Sequence, residues 1–282
     1  MKTRMVLAAI AAACALPLHA QPDAPPAWRS MIAAERAFAA QARREGIRPA
    51  FLQAYAHDGI LFTPKITNGP RHYGAEVTPG LLEWTPEAGE MSASGDFGYD
   101  YGPFAFTPPD RSKPASGGHF LTVWERDERG AWKVAVDNGV HHAVVPFPKE
   151  AAVRGGGAAV PAPALPVQRN TRLQALMQAD RALARALTTQ PAAAFDAVRT
   201  PDCLFLREGH LPLDGAAADA VLARLPARGL DSLEIVRMAS AGDLAFTGGV
   251  APDVGAKRPA YYLRIWRHTE AGWRLAVDMT HY

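Results

Sequence analysis

Hydrophobic side chains recur at helical spacing in two segments of the chain, and strand-like patterns follow each segment. In MIAAERAFAAQARREG one helical face carries Met31, Glu35, Phe38 and Ala42, at spacings of four, three and four residues. The segment TRLQALMQADRALARAL has a comparable stripe, formed by Leu173, Leu176, Met177, Asp180, Leu183 and Leu187. The pattern predicts two long amphipathic helices, each opening a similar unit.

The similarity between the two units extends to their strands. A short helix that begins with proline follows in both, at Pro49 and at Pro191. Further on, SGDFGYDYG matches AGDLAFTGG, HFLTVWER matches YYLRIWRH, and WKVAVD matches WRLAVD. Glycine-containing turns, ERDERGAW and RHTEAGW, separate the last two strands of each unit, as in β-hairpins. Helices followed by a run of antiparallel strands predict an α+β fold, repeated twice.

The segment between the two units, VPFPKEAAVRGGGAAVPAPALPVQRN, is rich in proline, alanine and glycine and lacks apolar periodicity. Such a composition predicts a linker. We therefore assign residues 27–146 to domain 1, 147–168 to the linker and 169–282 to domain 2. Both domains are long enough to form their own hydrophobic cores.

The stretches GDFGYDYGPF, FLTVWERDERGAWKVAVDNG and YLRIWRHTEAGWRLAVD resemble the DUF4440 domain, a relative of SnoaL-like and ketosteroid-isomerase-like proteins in the NTF2-like superfamily. The resemblance implies two tandem cones, each a curved antiparallel sheet around N-terminal helices, with a mainly apolar pocket for a small ligand at the open end. It also implies that the two repeats pack as an intramolecular pseudo-dimer. Ketosteroid isomerases use a carboxylate base and a tyrosine with a protonated acid inside the cone. No residue here matches those groups motif by motif.

The N-terminus MKTRMVLAAIAAACALPLHA has the features of a secretory signal peptide. Lys2 and Arg4 precede an apolar run, and Leu18-His19-Ala20 forms a cleavage site, so residues 1–20 are expected to be removed on export to the periplasm or beyond. The run is too short to span a bilayer, and no membrane association is expected after cleavage. Lipid attachment at Cys14 is the alternative, although Ala11 is not the leucine that such signals favour.

Composition removes further classes of function. The chain has 30 basic and 28 acidic residues, and loss of two basic residues with the signal leaves the charge balanced. Nucleic-acid binding is not expected, because it requires clustered basic residues. Only Cys203 then remains, so an internal disulfide is excluded. Phosphate and dinucleotide loops are absent from the sequence, and we predict no cofactor.

The two repeats differ in pocket-forming residue types. Tyr99 and Tyr101 stand where domain 2 has phenylalanine and glycine, and His119 stands where it has tyrosine. Trp84 and the pair His141-His142 likewise belong to domain 1 alone. We therefore predict that domain 1 binds a small molecule in its cone, through Trp84, Tyr99, Tyr101, His119 and His141.

Catalytic residues stay unassigned, with Asp137 and His119 as candidates. Alternation along the strand places Asp137 on the face opposite Trp132, Val134 and Val136, and the sequence leaves open which face is the cone interior. Asp137 is then either a general base or ligand-orienting acceptor, or a structural carboxylate. Its presence in both repeats, with Asp278 as the second copy, favours the structural role.

A metal site at His141-His142, with His119 or Asp137 as further ligands, is not predicted, because adjacent strand residues point to opposite faces. The favoured function is an exported protein that binds a small, largely apolar molecule, with acid-base catalysis of the isomerase or cyclase kind as an extension. The alternative is a non-catalytic pseudo-dimeric scaffold or partner-binding module. An open cavity with inward polar groups supports the first, and cones plugged by side chains support the second.

Overall fold

The computed structural model describes residues 25–62, 65–75, 79–110, 115–146, 152–157, 166–252 and 260–281. The predicted signal peptide and Cys14 lie outside these residues. Domain 1 contains α1 (Pro26–Glu45), α2 (Ile47–Ala54), β1 (Tyr55–Phe62), β2 (Ile66–Asn68), α3 (Gly69–Ala75), β3 (Leu81–Trp84), β4 (Ala88–Met91), β5 (Phe97–Thr107), β6 (Ser116–Arg126), β7 (Trp132–His142) and β8 (Arg154–Gly157). Domain 2 contains α4 (Pro166–Ala186), α5 (Pro191–Val198), β9 (Arg199–Arg207), α6 (Gly215–Leu222), β10 (Ser232–Met238), β11 (Leu244–Ala251), β12 (Ala260–Thr269) and β13 (Gly272–His281).

Each domain has one mixed sheet built around antiparallel hairpins. The first sheet has the strand order β2-β1-β7-β6-β5-β4-β8, and β3 pairs with β5. The second has the order β10-β11-β12-β13-β9. In both, the strand after the short second helix pairs in parallel with the last strand of the hairpins, β1 with β7 and β9 with β13. The predicted α+β class, with helices before the strands in each repeat, is confirmed.

The segment predicted as a linker also contributes to the first sheet. Strand β8 pairs in parallel with β4, with Gly155 opposite Gly89. A Cβ atom on Gly155 would lie 2.0 Å from the Gly89 carbonyl oxygen, and its φ is +108°. Only glycine tolerates both conditions, so the glycine run allows this segment to become an edge strand.

A β-bulge in the last hairpin changes which side chains share a face. The pairing of β6 with β7 shifts between Val123 and Trp124, with Ala135 as the extra residue. Val134 therefore packs under the helices, whereas Val136 packs on the opposite face of the sheet. The expected simple alternation along this strand is thus wrong, because a bulge inserts one residue and reverses the faces beyond it. Domain 2 has the same irregularity, before Trp266.

The structure has two kinds of hydrophobic core, one under the helices of each domain and one between the two sheets. Under the helices of domain 1, Met31 and Phe38 of α1 pack with Trp124, and the corresponding core of domain 2 includes Leu183 and Trp266. The opposite faces of the two sheets share a single core, to which domain 1 contributes Phe62, Phe97, Leu121 and Val123 and domain 2 contributes Phe246, Leu263, Ile265 and Met279. Each sheet therefore has one face toward its own helices and the other toward the other domain.

In the part of the chain that the structure describes, no helix is both long enough and apolar enough to cross a membrane.

Candidate functional site

A cavity of about 300 Å³ lies between the helices and the sheet of domain 1. We call it the domain 1 cavity. Most of its wall is apolar, with Phe38 and Phe51 from the helices and Phe104 and Phe120 from the sheet. The polar part of the wall lies mainly at one end of β7 and around the opening of the cavity, which we call its mouth. The cavity thus has the size and the mostly apolar lining of a small-molecule site.

Asp137 of β7 is the carboxylate in this wall. The Thr122 hydroxyl of the neighbouring strand donates a hydrogen bond of 2.8 Å to its Oδ1. Burial raises the pKa of Asp137 to about 7, against the opposing effect of the Thr122 hydrogen bond and with help from the nearby charge of Glu35. A carboxyl group with this pKa can both accept and release a proton near neutral pH.

A second acidic group lies behind Asp137. Glu35 of α1 and Asp100 of β5 are both fully buried. The indole N–H groups of Trp84 and Trp124 donate to Glu35, the latter at 2.9 Å to Oε2. Burial raises the pKa of both carboxyl groups, and the charge on Glu35 raises the pKa of Asp100 further. Two adjacent buried carboxylates cannot both stay ionised, so the pair holds a shared proton and a single negative charge.

Histidines surround the mouth of the domain 1 cavity. His72 and His141 come from domain 1, and His281 comes from the last strand of domain 2. Glu208 of domain 2 holds two of them: its Oε1 lies 3.0 Å from Nδ1 of His281 and 3.8 Å from Nδ1 of His141. It also accepts a hydrogen bond from the backbone N–H of His141 at 2.9 Å. Domain 2 therefore completes the entrance to the cavity of domain 1.

The corresponding space in domain 2 is filled by Arg264. This arginine stands at the position of Thr122 on the strand that matches β6, and it is fully buried. Its guanidinium group contacts three carboxylates, Asp278 at 2.9 Å, Asp180 at 3.0 Å and Asp231 at 2.6 Å. The cavity that remains on this side measures about 60 Å³.

The environments of the two duplicated aspartates are therefore opposite. Asp278 is buried, but Arg207 and Arg264 hold its pKa below the ordinary value against the effect of burial. Asp137 is half-buried, and its one side-chain hydrogen bond within the described residues comes from the neutral Thr122. The structural role expected for both copies fits Asp278, whereas Asp137 is exposed to the cavity.

The predicted ligand residues fall into two groups. Trp84 and His141 line the domain 1 cavity together with Asp137. Tyr99, Tyr101 and His119 are not brought into it, because they lie at alternate positions on the face of the sheet that looks toward domain 2. Tyr99 and Tyr101 border one cavity between the two domains, and Tyr101 and His119 border another.

The histidines considered in the sequence also lie at different places in the structure. His119 Nδ1 lies 2.7 Å from His142 Nε2, while His141 points to the mouth of the cavity. Within the described residues, no group of three or more His, Cys, Asp or Glu side chains is arranged to hold a metal ion. Cys203 is buried, and burial raises the pKa of its thiol.

Sequence reasoning missed Asp100, Thr122 and His281 as site residues, and it treated Glu35 only as part of a helical stripe. A signal for two of them was present in the matched strands. Asp100 matches Thr247, and Thr122 matches Arg264. At these matched positions the two repeats carry different polar side chains, and this difference indicates where the chemistry of the two cones differs. His281 carried no such signal, because its role depends on how the domains pack.

Comparison with known proteins gives matches among solved structures alone. No family model matches the chain, and no curated protein matches it. A DUF3225-family protein of unknown function from Pectobacterium atrosepticum is 20% identical, with a TM-score of 0.36, over 42% of this chain and 96% of that chain. A ketosteroid isomerase-like protein from Erwinia carotovora atroseptica is 15% identical, with a TM-score of 0.36, over 41% and 96%. An NTF2-like protein from Cytophaga hutchinsonii is 12% identical, with a TM-score of 0.32, over 39% and 96%.

The chain is thus similar to proteins of the NTF2-like superfamily, as the sequence motifs predict. DUF4440 is named for none of these three structures. Each match covers less than half of this chain and nearly all of the other chain.

Proposed function

We propose that the protein binds a small, largely apolar molecule in the domain 1 cavity and transfers a proton on it through Asp137. The observation that carries this proposal is the pairing of an apolar cavity of about 300 Å³ with a carboxyl group in its wall that has a pKa of about 7. Such a group can remove a proton from an acidic carbon and return it at another position. The reaction class is isomerisation or a related cyclisation.

The residues behind Asp137 support this role. The negative charge of Glu35 adds to the effect of burial in raising the pKa of Asp137, so that Asp137 can hold or release a proton near neutral pH. Thr122 fixes the carboxyl group by its hydrogen bond. The indole N–H groups of Trp84 and Trp124 donate hydrogen bonds to the Glu35 carboxylate. The buried carboxyl groups of domain 1 are therefore stabilised without an arginine.

Domain 2 is proposed to act as support, in a pseudo-dimer with domain 1. The shared core between the two sheets and the filled cone of domain 2 favour this division of roles. A purely structural function for the whole chain is the second candidate, and the shared core is the observation in its favour. Export to the periplasm or beyond, directed by residues 1–20, is part of the proposal.

The test begins with native mass spectrometry of the mature chain, purified gently. We expect an additional mass from a retained molecule, which is then extracted and identified. The isolated molecule is next incubated with the protein in deuterated buffer. Proton transfer by Asp137 predicts deuterium incorporation at a carbon-bound position, with a rate that rises through a midpoint near pH 7.

The matched variants are Asp137→Asn inside the cavity and Tyr101→Phe outside it. Asp137→Asn should retain the molecule and lose the exchange, whereas Tyr101→Phe should retain both. Binding without exchange in the wild-type chain would reduce the function to a binding module. A bare mass, unchanged after incubation with lipid and metabolite extracts, would favour the structural role.

A further inference from the structure

The side chain of His281 reaches the domain 1 cavity from domain 2. His281 is the last residue of β13, and it lines the cavity at its mouth. Its ring lies beside that of His141, with 6.4 Å between the ring centroids. The side chain of His281 is 15% exposed, against 56% for that of His141. Of these two imidazoles, His281 is therefore the one that is largely shielded from water.

The orientation of the His281 ring is set by Glu208, which is itself held by the backbone of domain 1. Glu208 Oε2 accepts a hydrogen bond of 2.9 Å from the backbone N–H of His141. The next residue, Gly209, donates its N–H to the carbonyl oxygen of His141 at 2.7 Å. Glu208 Oε1 lies 3.0 Å from Nδ1 of His281. Because these backbone contacts fix the carboxylate, the imidazole that bonds to it is fixed as well.

Glu208 also determines which nitrogen of His281 carries a hydrogen. Burial would raise the pKa of Glu208, but hydrogen bonds from His141 and His281 outweigh this effect and lower the pKa to about 2. An ionised carboxylate only accepts hydrogen bonds, so the Nδ1 atom that faces it must be the donor. In the neutral ring Nε2 then has a free lone pair and acts as an acceptor.

This acceptor is not used by the protein itself. Within the part of the chain that the structure describes, the His281 ring forms its hydrogen bond through Nδ1 alone. A hydroxyl group of a molecule bound in the cavity can donate to Nε2 at the mouth. A ligand with such a group gains a hydrogen bond that a plain hydrocarbon lacks.

The rest of the cavity wall favours an aromatic and uncharged body for this ligand. Aromatic rings pack well against one another in tilted or edge-to-face arrangements. The Glu208 carboxylate beside the mouth and Asp137 in the wall disfavour an anion. The aromatic side chains of the wall include Phe38, Phe51, Trp84, Phe104, Phe106 and Phe120.

We propose that the domain 1 cavity takes an aromatic molecule that carries a hydroxyl group, and that this hydroxyl donates a hydrogen bond to Nε2 of His281. The inference rests on the function proposed above, because it names the class of molecule that binds in the same cavity. It gives domain 2 a direct contact with the ligand in addition to its supporting role.

The experiment is isothermal titration calorimetry of the mature chain with 2-naphthol at pH 8. Three compounds with the same rings are the controls: 2-methoxynaphthalene lacks the donor, 2-naphthoate is anionic and 2-naphthylmethylamine is cationic. We expect 2-naphthol to bind with a dissociation constant below about 1 mM, and about tenfold more tightly than each control. Equal or tighter binding of any control would overturn the inference, while the proposed binding of an apolar molecule would stand.

Variants at the mouth then identify the acceptor. His281→Phe keeps a ring and removes both nitrogens, so it should weaken 2-naphthol about tenfold and change 2-methoxynaphthalene by less than about twofold. Glu208→Gln should weaken 2-naphthol about fivefold, because its amide can donate to Nδ1 and the His281 hydrogen then moves to Nε2. His57→Phe is the matched control, since the His57 side chain is 97% exposed, and it should change neither affinity. Circular dichroism checks that each variant is folded.

Asp137 is a second acceptor in the same cavity, and Asp137→Asn separates it from His281. This variant should lose the deuterium exchange yet keep the preference for 2-naphthol over 2-methoxynaphthalene. Loss of the preference in Asp137→Asn, with its retention in His281→Phe, would place the hydroxyl at Asp137 and overturn the inference. The proposed function would survive that result.

Nitrogen NMR of the histidine-labelled chain reads the tautomer directly. The Nε2 signal of His281, assigned through His281→Phe, should be that of a nitrogen without hydrogen, and it should move upfield when 2-naphthol binds. A hydrogen on Nε2, or no binding of 2-naphthol up to about 3 mM, would overturn the inference. Native mass spectrometry then tests the proposed function separately.

Discussion

The two cones of this chain share their strands and bulge but differ in what occupies the space under the helices. At matched positions, domain 1 has Asp100, Thr122 and Asp137, and domain 2 has Thr247, Arg264 and Asp278. The cavity under the helices measures about 300 Å³ in the first domain and about 60 Å³ in the second, where threonine is replaced by a buried arginine. The cone of domain 2 is filled by Arg264 together with the side chains that it contacts, whereas the cone of domain 1 keeps space for a ligand.

The same exchange reverses the electrostatics. Around Arg264 every carboxylate has a positive partner, and Arg228 and Arg207 add further ion pairs to Asp231 and Asp278. Around Asp137 the neighbouring charged groups are acidic, and indole and hydroxyl donors take the place of arginine. Domain 2 uses buried charge to fix its structure, whereas domain 1 keeps carboxyl groups whose pKa values are raised.

Removing the arginine should have the largest effect on stability. Arg264→Met leaves Asp180, Asp231 and Asp278 buried with fewer positive partners, and the loss of one member of a buried ion-pair network costs about 3–5 kcal/mol. We expect the free energy of unfolding at pH 7 to fall by this amount, measured by urea denaturation.

The control is Arg185→Met on the exposed side of α4, which should change the free energy of unfolding by less than about 0.5 kcal/mol. Equal stability of the two variants would show that the network around Arg264 does not hold domain 2 together. The contrast between the cones would then rest on shape alone.

The reverse exchange should close the domain 1 cavity. Thr122→Arg places a guanidinium group among Glu35, Asp100 and Asp137, as in domain 2. We expect loss of the retained molecule in native mass spectra, by more than about tenfold in occupancy. Thr122→Ser keeps the hydroxyl that donates to Asp137, and it should retain the molecule. Retention by Thr122→Arg would place the ligand outside the domain 1 cavity.

Asp137→Asn should stabilise domain 1 in a pH-dependent manner. The folded pKa of Asp137 is about 7, above its ordinary value of 3.8. The folded state therefore binds the proton more tightly, and ionisation destabilises the fold increasingly as the pH rises from about 4 to 7. The variant avoids this effect, so it should be more stable than wild type by about 4 kcal/mol at pH 8 and equal to it at pH 4. A constant difference between the two pH values would contradict the raised pKa.

The repeats and the fold class were accessible from the sequence because helical stripes and matched strands are local patterns. The position of β8 was not, since its pairing depends on the close approach of Gly155 to Gly89 in the folded sheet. The faces of β7 were misassigned because the bulge at Ala135 leaves no mark in the hydrophobic pattern. Tyr99 and His119 were grouped with Trp84 on residue type alone, although alternation separates them.

The smallest expected effect concerns the entrance to the domain 1 cavity, where Glu208 holds His141 and His281. Against the effect of burial, hydrogen bonds from both histidines lower the pKa of Glu208 to about 2, and Glu208 in turn raises the pKa of His141. The stability from Glu208 is present above its ordinary pKa of 4.5, and that from His141 is present below 6.5 and lost as the pH rises through its raised pKa.

Both contributions therefore coincide between pH 4.5 and 6.5. Glu208→Gln should lower the free energy of unfolding by about 1 kcal/mol or less at pH 5.5, since His141 is largely exposed, and by less at pH 8. Glu270→Gln, an exposed acid at the turn before β13, should have no effect at either pH. The same loss at both pH values would mean that Glu208 acts by packing and not by charge, and that the cavity of domain 1 does not rely on an ionic contact from domain 2.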